Sequence, residues 1–161
     1  MIKIIFVCLG NICRSPLAEG IFKQQVTSLK LDDKIVCDSA GTSNYHIGED
    51  PDHRTVLNAR NNGLQLNHKG QQFKAKHFDQ YDYILAMDQN NYDDIALLQT
   101  PGGSKDYELL KMRQFDNEGK GLDVPDPYYG GAQGFQEVYD ILYRSNKNFL
   151  NYLIEKHNLL S

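Results

Sequence analysis

Val7-Cys8-Leu9-Gly10-Asn11-Ile12-Cys13-Arg14-Ser15-Pro16 is the stretch on which the reading of this chain turns. Upstream lies an apolar run of Ile2, Ile4, Ile5, Phe6 and Val7; downstream, Leu17, Ala18, Ile21, Phe22, Val26 and Leu29 recur at helical spacing. The pattern is strand, tight turn, helix, and that junction is where α/β proteins hold phosphates. Gly10 can take φ > 0 and Asn11 tolerates it, so successive backbone N–H groups can point inward as an anion nest. Ser15 is placed to cap the helix, and Pro16 in its first turn gives up an N–H that would otherwise be orphaned. Cys8 is then expected at the floor of the nest, with Arg14 closing over its mouth.

That arrangement has a chemical logic. A free thiol is mostly protonated at neutral pH, whereas a helix N-terminus, inward N–H groups and a guanidinium all favour the sulfur anion. The same donors suit the non-bridging oxygens of a phosphate, with Arg14 making a two-pronged contact. Nucleophile and electrophile are thus gathered by one set of groups, and the Ser15 hydroxyl can donate to the sulfur both as attacker and as leaving group. Blander readings stand beside this one. A lone Cys at a strand end is commonly a small buried hydrophobe. As metal ligands, Cys8 and Cys13 lack a third and fourth partner at zinc spacing, and their separation is not that of a Cys-Xaa-Xaa-Cys redox motif.

Residues 1–161 are most simply one domain, with enough chain to bury ~70% of the unfolded surface. No apolar run approaches the ~20 residues needed to cross a bilayer, and the N-terminus reads as a core strand rather than a signal peptide; no membrane partner is expected. Three cysteines without a framework fit a reducing cytoplasm. The formal charge of -4 argues against nucleic acid as a partner, because phosphate backbones require a basic stripe.

Further along, residues 34–40 read as a second strand ending in the loop Ala40-Gly41-Thr42-Ser43-Asn44, with Ser39 beside the first loop if the two strands pair in parallel. Cys37 reads as core filler. Tyr45 and His46 lie where an aromatic can wall a cleft. Residues 52–62 look helical and stop at Gly63; His68 follows in a polar stretch. Residues 83–87 make a third strand, and Asp88 begins the next helix, where a carboxylate suits the dipole. Residues 107–110 form a short fourth strand. A long irregular run, 111–132, holds Asp126 between Pro125 and Pro127, which narrow its backbone and hold its carboxyl in place. Residues 135–159 supply the final helix. Strand and helix in alternation imply a parallel sheet covered on both faces, with the site at the strands' C-terminal edge.

With these stretches in view, the chain resembles the low-molecular-weight protein tyrosine phosphatases. The likeness rests on the segment from Cys8 to Pro16 and on Asp126-Pro127-Tyr128-Tyr129, and it extends to Asp38-Ser39-Ala40-Gly41-Thr42 and Gly134-Phe135-Gln136-Glu137-Val138-Tyr139. The resemblance implies a flavodoxin-like (Rossmann-like) three-layer α/β/α fold with a four-stranded parallel sheet. It implies Cys8 as nucleophile, Arg14 as phosphate and transition-state binder, and Asp126 as general acid. Leu9, Gly10, Asn11, Ile12, Cys13 and Ser15 are then the phosphate loop, with Ser15 assisting the thiolate and Ser39 and His68 supporting Asn11. Tyr45, Tyr128 and Tyr129 line the substrate cleft, and Cys13 matches the vicinal cysteine that can form a reversible disulfide with the nucleophile. The implied substrate is a phosphotyrosine protein, with inorganic phosphate as product and competitive inhibitor and with no cofactor or metal. Protein-arginine phosphatases carry threonine at the position of Ile12. Two departures stand out: a histidine common in eukaryotic members is Asn62 here, and residues 113–121 have no clear counterpart.

Related chemistries are less well matched. An arsenate reductase needs extra cysteines in a segment near residue 80, and residues 74–88 contain none. A phosphocysteine carrier of the sugar phosphotransferase kind does not call for Arg14 or a distant Asp126. A phosphate-binding module without turnover would have a broken nucleophile or acid, and both are intact.

Overall fold

The computed structural model describes residues 1–103 and 105–160. Four parallel strands alternate with helices: β1 (Ile2–Cys8), α1 (Arg14–Ser28), β2 (Ile35–Gly41), α2 (His53–Asn61), β3 (Tyr83–Ala86), α3 (Gln89–Ala96), β4 (Glu108–Lys111) and α4 (Ala132–His157). The order across the sheet is β2-β1-β3-β4, the flavodoxin-like arrangement. β1 therefore has its successors on either side, and the crevice beyond its C-terminal end is where such sheets bind ligands. The register brings Cys8 level with Gly41 and Val7 level with Ala86, so three strand ends meet at one edge.

Side chains alternate along β1 between two apolar layers. Ile4, Phe6 and Cys8 join Leu17, Ile21, Phe22 and Phe149 on the face covered by α1 and α4. Ile5 and Val7 join Phe73, Phe78, Ile84 and Ile95 on the other. Burial on both faces is why this strand reads as a continuous apolar run instead of an alternating one. Among the described residues, no helix is long and apolar enough to cross a membrane.

Several local expectations change. α1 begins at Arg14 with Cys13 at its N-cap and no side-chain cap bond, so Ser15 is not the cap. Its hydroxyl is engaged elsewhere, with the Cys8 sulfur. Asn11 alone of the loop's turn residues takes positive φ, at 58°, and Gly10 does not. The 111–132 run is not wholly irregular, because a 3₁₀ turn at Met112–Phe115 packs Met112 into the main core. A second 3₁₀ turn at Ala75–Asp79 buries Phe78. Single turns are too short for hydrophobic periodicity to reveal them.

After β4 the chain is tied to α4 through a buried carboxylate. Asp116 accepts from Arg113 Nε (2.8 Å), Arg144 Nε (2.7 Å) and Nη2 (3.1 Å), and the Glu118 N–H (2.9 Å). Burial by itself would raise its pKa; Arg144, the Glu118 N–H and Arg113 outweigh that and hold the carboxyl below its ordinary range. The depressed folded value means that this stabilisation is present above the unfolded carboxyl's pKa of ~3.9 and is lost as pH falls through the folded value.

Phe149 anchors α4: it is fully buried, and its ring meets Phe22 at 5.6 Å, Phe115 at 5.0 Å and Tyr83 at 5.8 Å. Phe149→Ala is expected to lower unfolding free energy by ~3–5 kcal/mol in a denaturant titration. A loss below ~1 kcal/mol, the size of an average substitution, would mean that α4 is not a principal cover of the sheet.

Candidate active site

Cys8 ends β1, 3% exposed, at the floor of a cleft of about 210 Å³ bordered by the loop after it and by Arg14, Tyr45, Asp126, Tyr128 and Tyr129. Its sulfur accepts from the Asn11 N–H at 3.2 Å and lies 2.9 Å from Ser15 Oγ. The loop's carbonyls are tied outward. Thr42 N donates to Cys8 O (2.9 Å), Ser43 N to Leu9 O (3.0 Å) and Asp52 N to Ile12 O (2.8 Å). With its acceptors occupied by neighbouring loops, the turn is free to aim N–H groups inward, as an anion nest requires. The loop lies directly on the end of β2: a Cβ at Gly41 would stand 2.7 Å from Leu9 O and 3.1 Å from Asn11 N.

Asn11 holds the turn. Its Oδ1 accepts from the Gln71 N–H (2.9 Å), which fixes the amide's orientation, and from His68 Nε2 (2.7 Å). Its Nδ2 donates to Ser15 Oγ (2.8 Å) and Ser39 Oγ (3.1 Å). These bonds compensate a left-handed backbone that is unfavourable for a residue with a Cβ. Ser39 in turn donates to Glu19 Oε1 (2.7 Å), which lies 3.2 Å from His68 Nδ1. Burial would push the Glu19 pKa up, but His68, Lys23 and Ser39 together hold it low, so a charged carboxylate closes the network. Ser39 and His68 thus both contact Asn11. Glu19 was missed, although its place one helical turn after Ser15 puts both on one face. Glu19, Asp38 and His68 bring possible metal ligands within 4.8 Å of one another. These side chains are already engaged with Lys23, Ser39, Asn11 and Gln71, so the group acts as support for the loop.

Arg14 Nη1 donates to Asp88 Oδ2 (2.6 Å) and to Val124 O (3.0 Å), and Nη2 lies 3.6 Å from Asp126 Oδ2. Burial opposes the charge on Arg14, but Cys8, Asp88 and Asp126 outweigh it and raise its pKa. Asp88 also caps α3 by accepting from the Asn91 N–H (2.7 Å). The sequence reading saw only that second role. Of the two nearby acids, Asp123 turns away: its Oδ1 accepts from Gln89 N (2.9 Å) and pairs with Lys111 (2.9 Å), which draws its pKa down. Asp126 faces the cleft with a side chain 41% exposed, and its Oδ1 accepts from the Tyr128 N–H at 3.0 Å.

Tyr128 and Tyr129 meet edge to face at 5.0 Å, and the Arg54 guanidinium lies 5.3 Å from the Tyr128 ring. Tyr45 and Tyr129 are largely exposed at the rim, and His46 joins the wall. Arg54, outside the sequence-based expectation, is itself held by Asp52. Cys13 is buried beside the nucleophile, and burial pushes its pKa up to about 12, so it remains a thiol while Cys8 faces the cleft.

The family model described as low molecular weight phosphotyrosine protein phosphatase matches residues 3–159. A Saccharomyces cerevisiae protein named low molecular weight phosphotyrosine protein phosphatase is 45% identical over 151 residues, covering 92% of this chain and 93% of that protein. The crystal structure of a protein tyrosine phosphatase from Entamoeba histolytica superposes with a TM-score of 0.90 at 38% identity, covering 99% of this chain and 100% of the other. A Drosophila arginine phosphatase superposes with a TM-score of 0.83 at 31% identity, covering 94% and 97%.

Asn11→Gly separates the backbone demand from the side-chain network, because glycine accepts φ 58° without strain and deletes the amide. It is expected to weaken inhibition by inorganic phosphate about tenfold and to cost ~1–3 kcal/mol in stability, the loss associated with orphaned buried partners. Unchanged phosphate inhibition would show that the loop keeps its shape without Asn11.

Proposed function

The chain belongs to the low molecular weight phosphotyrosine protein phosphatases, a family of cysteine-dependent hydrolases, and on that premise we propose that Cys8, Arg14 and Asp126 hydrolyse aryl phosphate monoesters through a phosphocysteine. The observation that carries this reading is one column of groups rising from the cleft floor. Ser15 Oγ lies 2.9 Å from the sulfur, and Arg14 reaches from the same loop to within 3.6 Å of the Asp126 carboxyl.

The loop N–H groups and Arg14 take the equatorial phosphate oxygens, and the sulfur attacks phosphorus in line. The S–P bond forms as the P–O bond to the phenol breaks, and the proton of Asp126 passes to the departing oxygen. In the second step the Asp126 carboxylate takes a proton from water. The water oxygen attacks phosphorus, the S–P bond breaks, and Ser15 donates to the returning thiolate. Loop amides and Arg14 stabilise the equatorial oxygens in both steps. The product, inorganic phosphate, competes for the same donors.

Depth favours phosphotyrosine. The nucleophile is 3% exposed at the floor while Tyr129 is 93% exposed at the rim, so the phosphate must arrive on a long rigid stem. Ile12 and the rim tyrosines offer flat apolar walls, and stacked aromatic pairs contribute ~0.5–1.5 kcal/mol beyond area burial. The likeness to a Drosophila arginine phosphatase makes phosphoarginine the second reading. Expected kcat/KM for phosphotyrosine peptides is at least about tenfold above matched phosphoserine and phosphoarginine peptides, a difference of ~1.4 kcal/mol. Equal rates on all three would leave the chemistry and remove the claim about tyrosine.

All three cysteines are free, which agrees with residence in a reducing cytoplasm. Peroxide oxidises Cys8 to the sulfenic acid, and the Cys13 thiol condenses with it, forming the disulfide and releasing water. Cys13→Ser is then expected to recover less activity in dithiothreitol than the parent; equal recovery would dismiss a protective role.

Cys8→Ser is expected to abolish turnover while phosphate affinity stays within about an order of magnitude, since the donors survive. Asp126→Ala is expected to lower kcat by ~10²–10⁴ and to remove the acid's limb of the pH profile. If Asp123→Ala proves the worse variant, the acid has been assigned to the wrong carboxylate.

A further inference from the structure

Asp126 is lightly held by its own side chain: one backbone N–H and a 3.6 Å approach to Arg14. Its position over the cleft is therefore set by the backbone that delivers it. That backbone is fixed immediately upstream. Val124 is buried, with its N–H on Met87 O (2.8 Å) and its carbonyl accepting from Arg14 Nη1 (3.0 Å). One residue earlier, Asp123 O accepts from Arg113 Nη1 at 3.0 Å. The same guanidinium holds Asp116 Oδ2 through Nε at 2.8 Å, and the Arg113 carbonyl accepts from Gly121 N at 3.0 Å. Residues 113–123 are thus a closed loop wrapped around one arginine, which is 8% exposed. Its residues 113–121 are those for which the family resemblance supplied no counterpart.

We propose that Arg113 is a positioning residue for general-acid catalysis. Clamped by Asp116, itself fixed to α4 through Arg144, it pins the Asp123 carbonyl and so sets where Asp126 stands relative to the leaving oxygen. The inference rests on Asp126 being the acid. Two bonds from one planar fork are needed, and a lysine offers a single point of attachment that cannot span both acceptors. Placement matters steeply in such a role, because an error of about 1 Å can cost ~10²-fold in rate.

A merely structural role for Arg113 predicts a loss independent of the leaving group, whereas a positioning role predicts a loss that grows as the leaving group needs its proton more. The test compares kcat/KM for aryl phosphates ranging from p-nitrophenyl to phenyl. Two variants perturb the clamp by different routes. Arg113→Lys removes the fork. Gly119→Ala keeps the arginine but places a Cβ 2.8 Å from its Cζ, forcing the guanidinium to shift. Thermal melting and phosphate inhibition are recorded for both, and Gly119→Ala carries the test if Arg113→Lys does not fold. Expected is a fall of ~10-fold with phenyl phosphate, ~2-fold or less with p-nitrophenyl phosphate, and phosphate inhibition within ~2-fold of the parent. In an Asp126→Ala background, Arg113→Lys is expected to add no further leaving-group dependence. A uniform loss across the substrates, no loss, or an undiminished effect in that background would overturn the proposal. Asp126→Ala alone serves as the reference: if it shows no leaving-group dependence, the assignment of the acid fails first, and this inference with it.

Discussion

A sulfur anion and a phosphate want the same neighbours, and a turn at the end of β1 has to supply them to both. Aiming successive N–H groups at one point requires that the matching carbonyls leave it. Here they leave into bonds with Thr42 and Ser43, in the loop that follows β2, and with Asp52, just before α2. It also requires one residue in a left-handed conformation, and Asn11 occupies it while its amide ties together Ser15, Ser39, His68 and Gln71. The nest is thus formed by tertiary contacts, and it exists because β1 and β2 end level with each other. A loop so constrained is preorganised: it has little to reorder when negative charge develops on the phosphoryl oxygens, which is where such donors contribute most.

Arg14 extends that constraint to the rest of the molecule. A cation 3% exposed is costly unless paired, and its partners come from the end of β3, the backbone before the acid and the acid itself. Removing any of them leaves a buried charge short of acceptors. The guanidinium therefore couples the phosphate loop to the segment carrying Asp126, so that binding oxygens and protonating the leaving group are arranged through one side chain.

Much of this was legible in the residues. The strand–turn–helix junction and the parallel sheet follow from apolar spacing and turn chemistry, and the resemblance those motifs carry singled out Cys8, Ser39, His68, Asp126 and the three tyrosines as candidates. What escaped was of two kinds. Single 3₁₀ turns carry no period, so Met112–Phe115 passed as irregular chain and Ala75–Asp79 carried no signal at all. Partners chosen by tertiary approach also leave no local trace: Asp88 reads as the start of a helix until Arg14 is seen against it, and Glu19 draws no notice until Ser39 and His68 converge on it. The expectation that Ser15 caps α1 failed for a related reason. A hydroxyl has one proton and few lone pairs, and here the Cys8 sulfur, the Asn11 amide and the Ala40 carbonyl claim them.

The central claim is that Cys8 itself carries the phosphoryl group. Rapid quenching of the Asp126→Ala protein during turnover of an aryl phosphate, followed by peptide mass analysis, tests it most directly, since loss of the base slows release from sulfur. The account predicts one phosphoryl group on the peptide containing Cys8, absent from the Cys8→Ser protein. A phosphoryl group on any other residue, or turnover with none trapped on the enzyme, would contradict it.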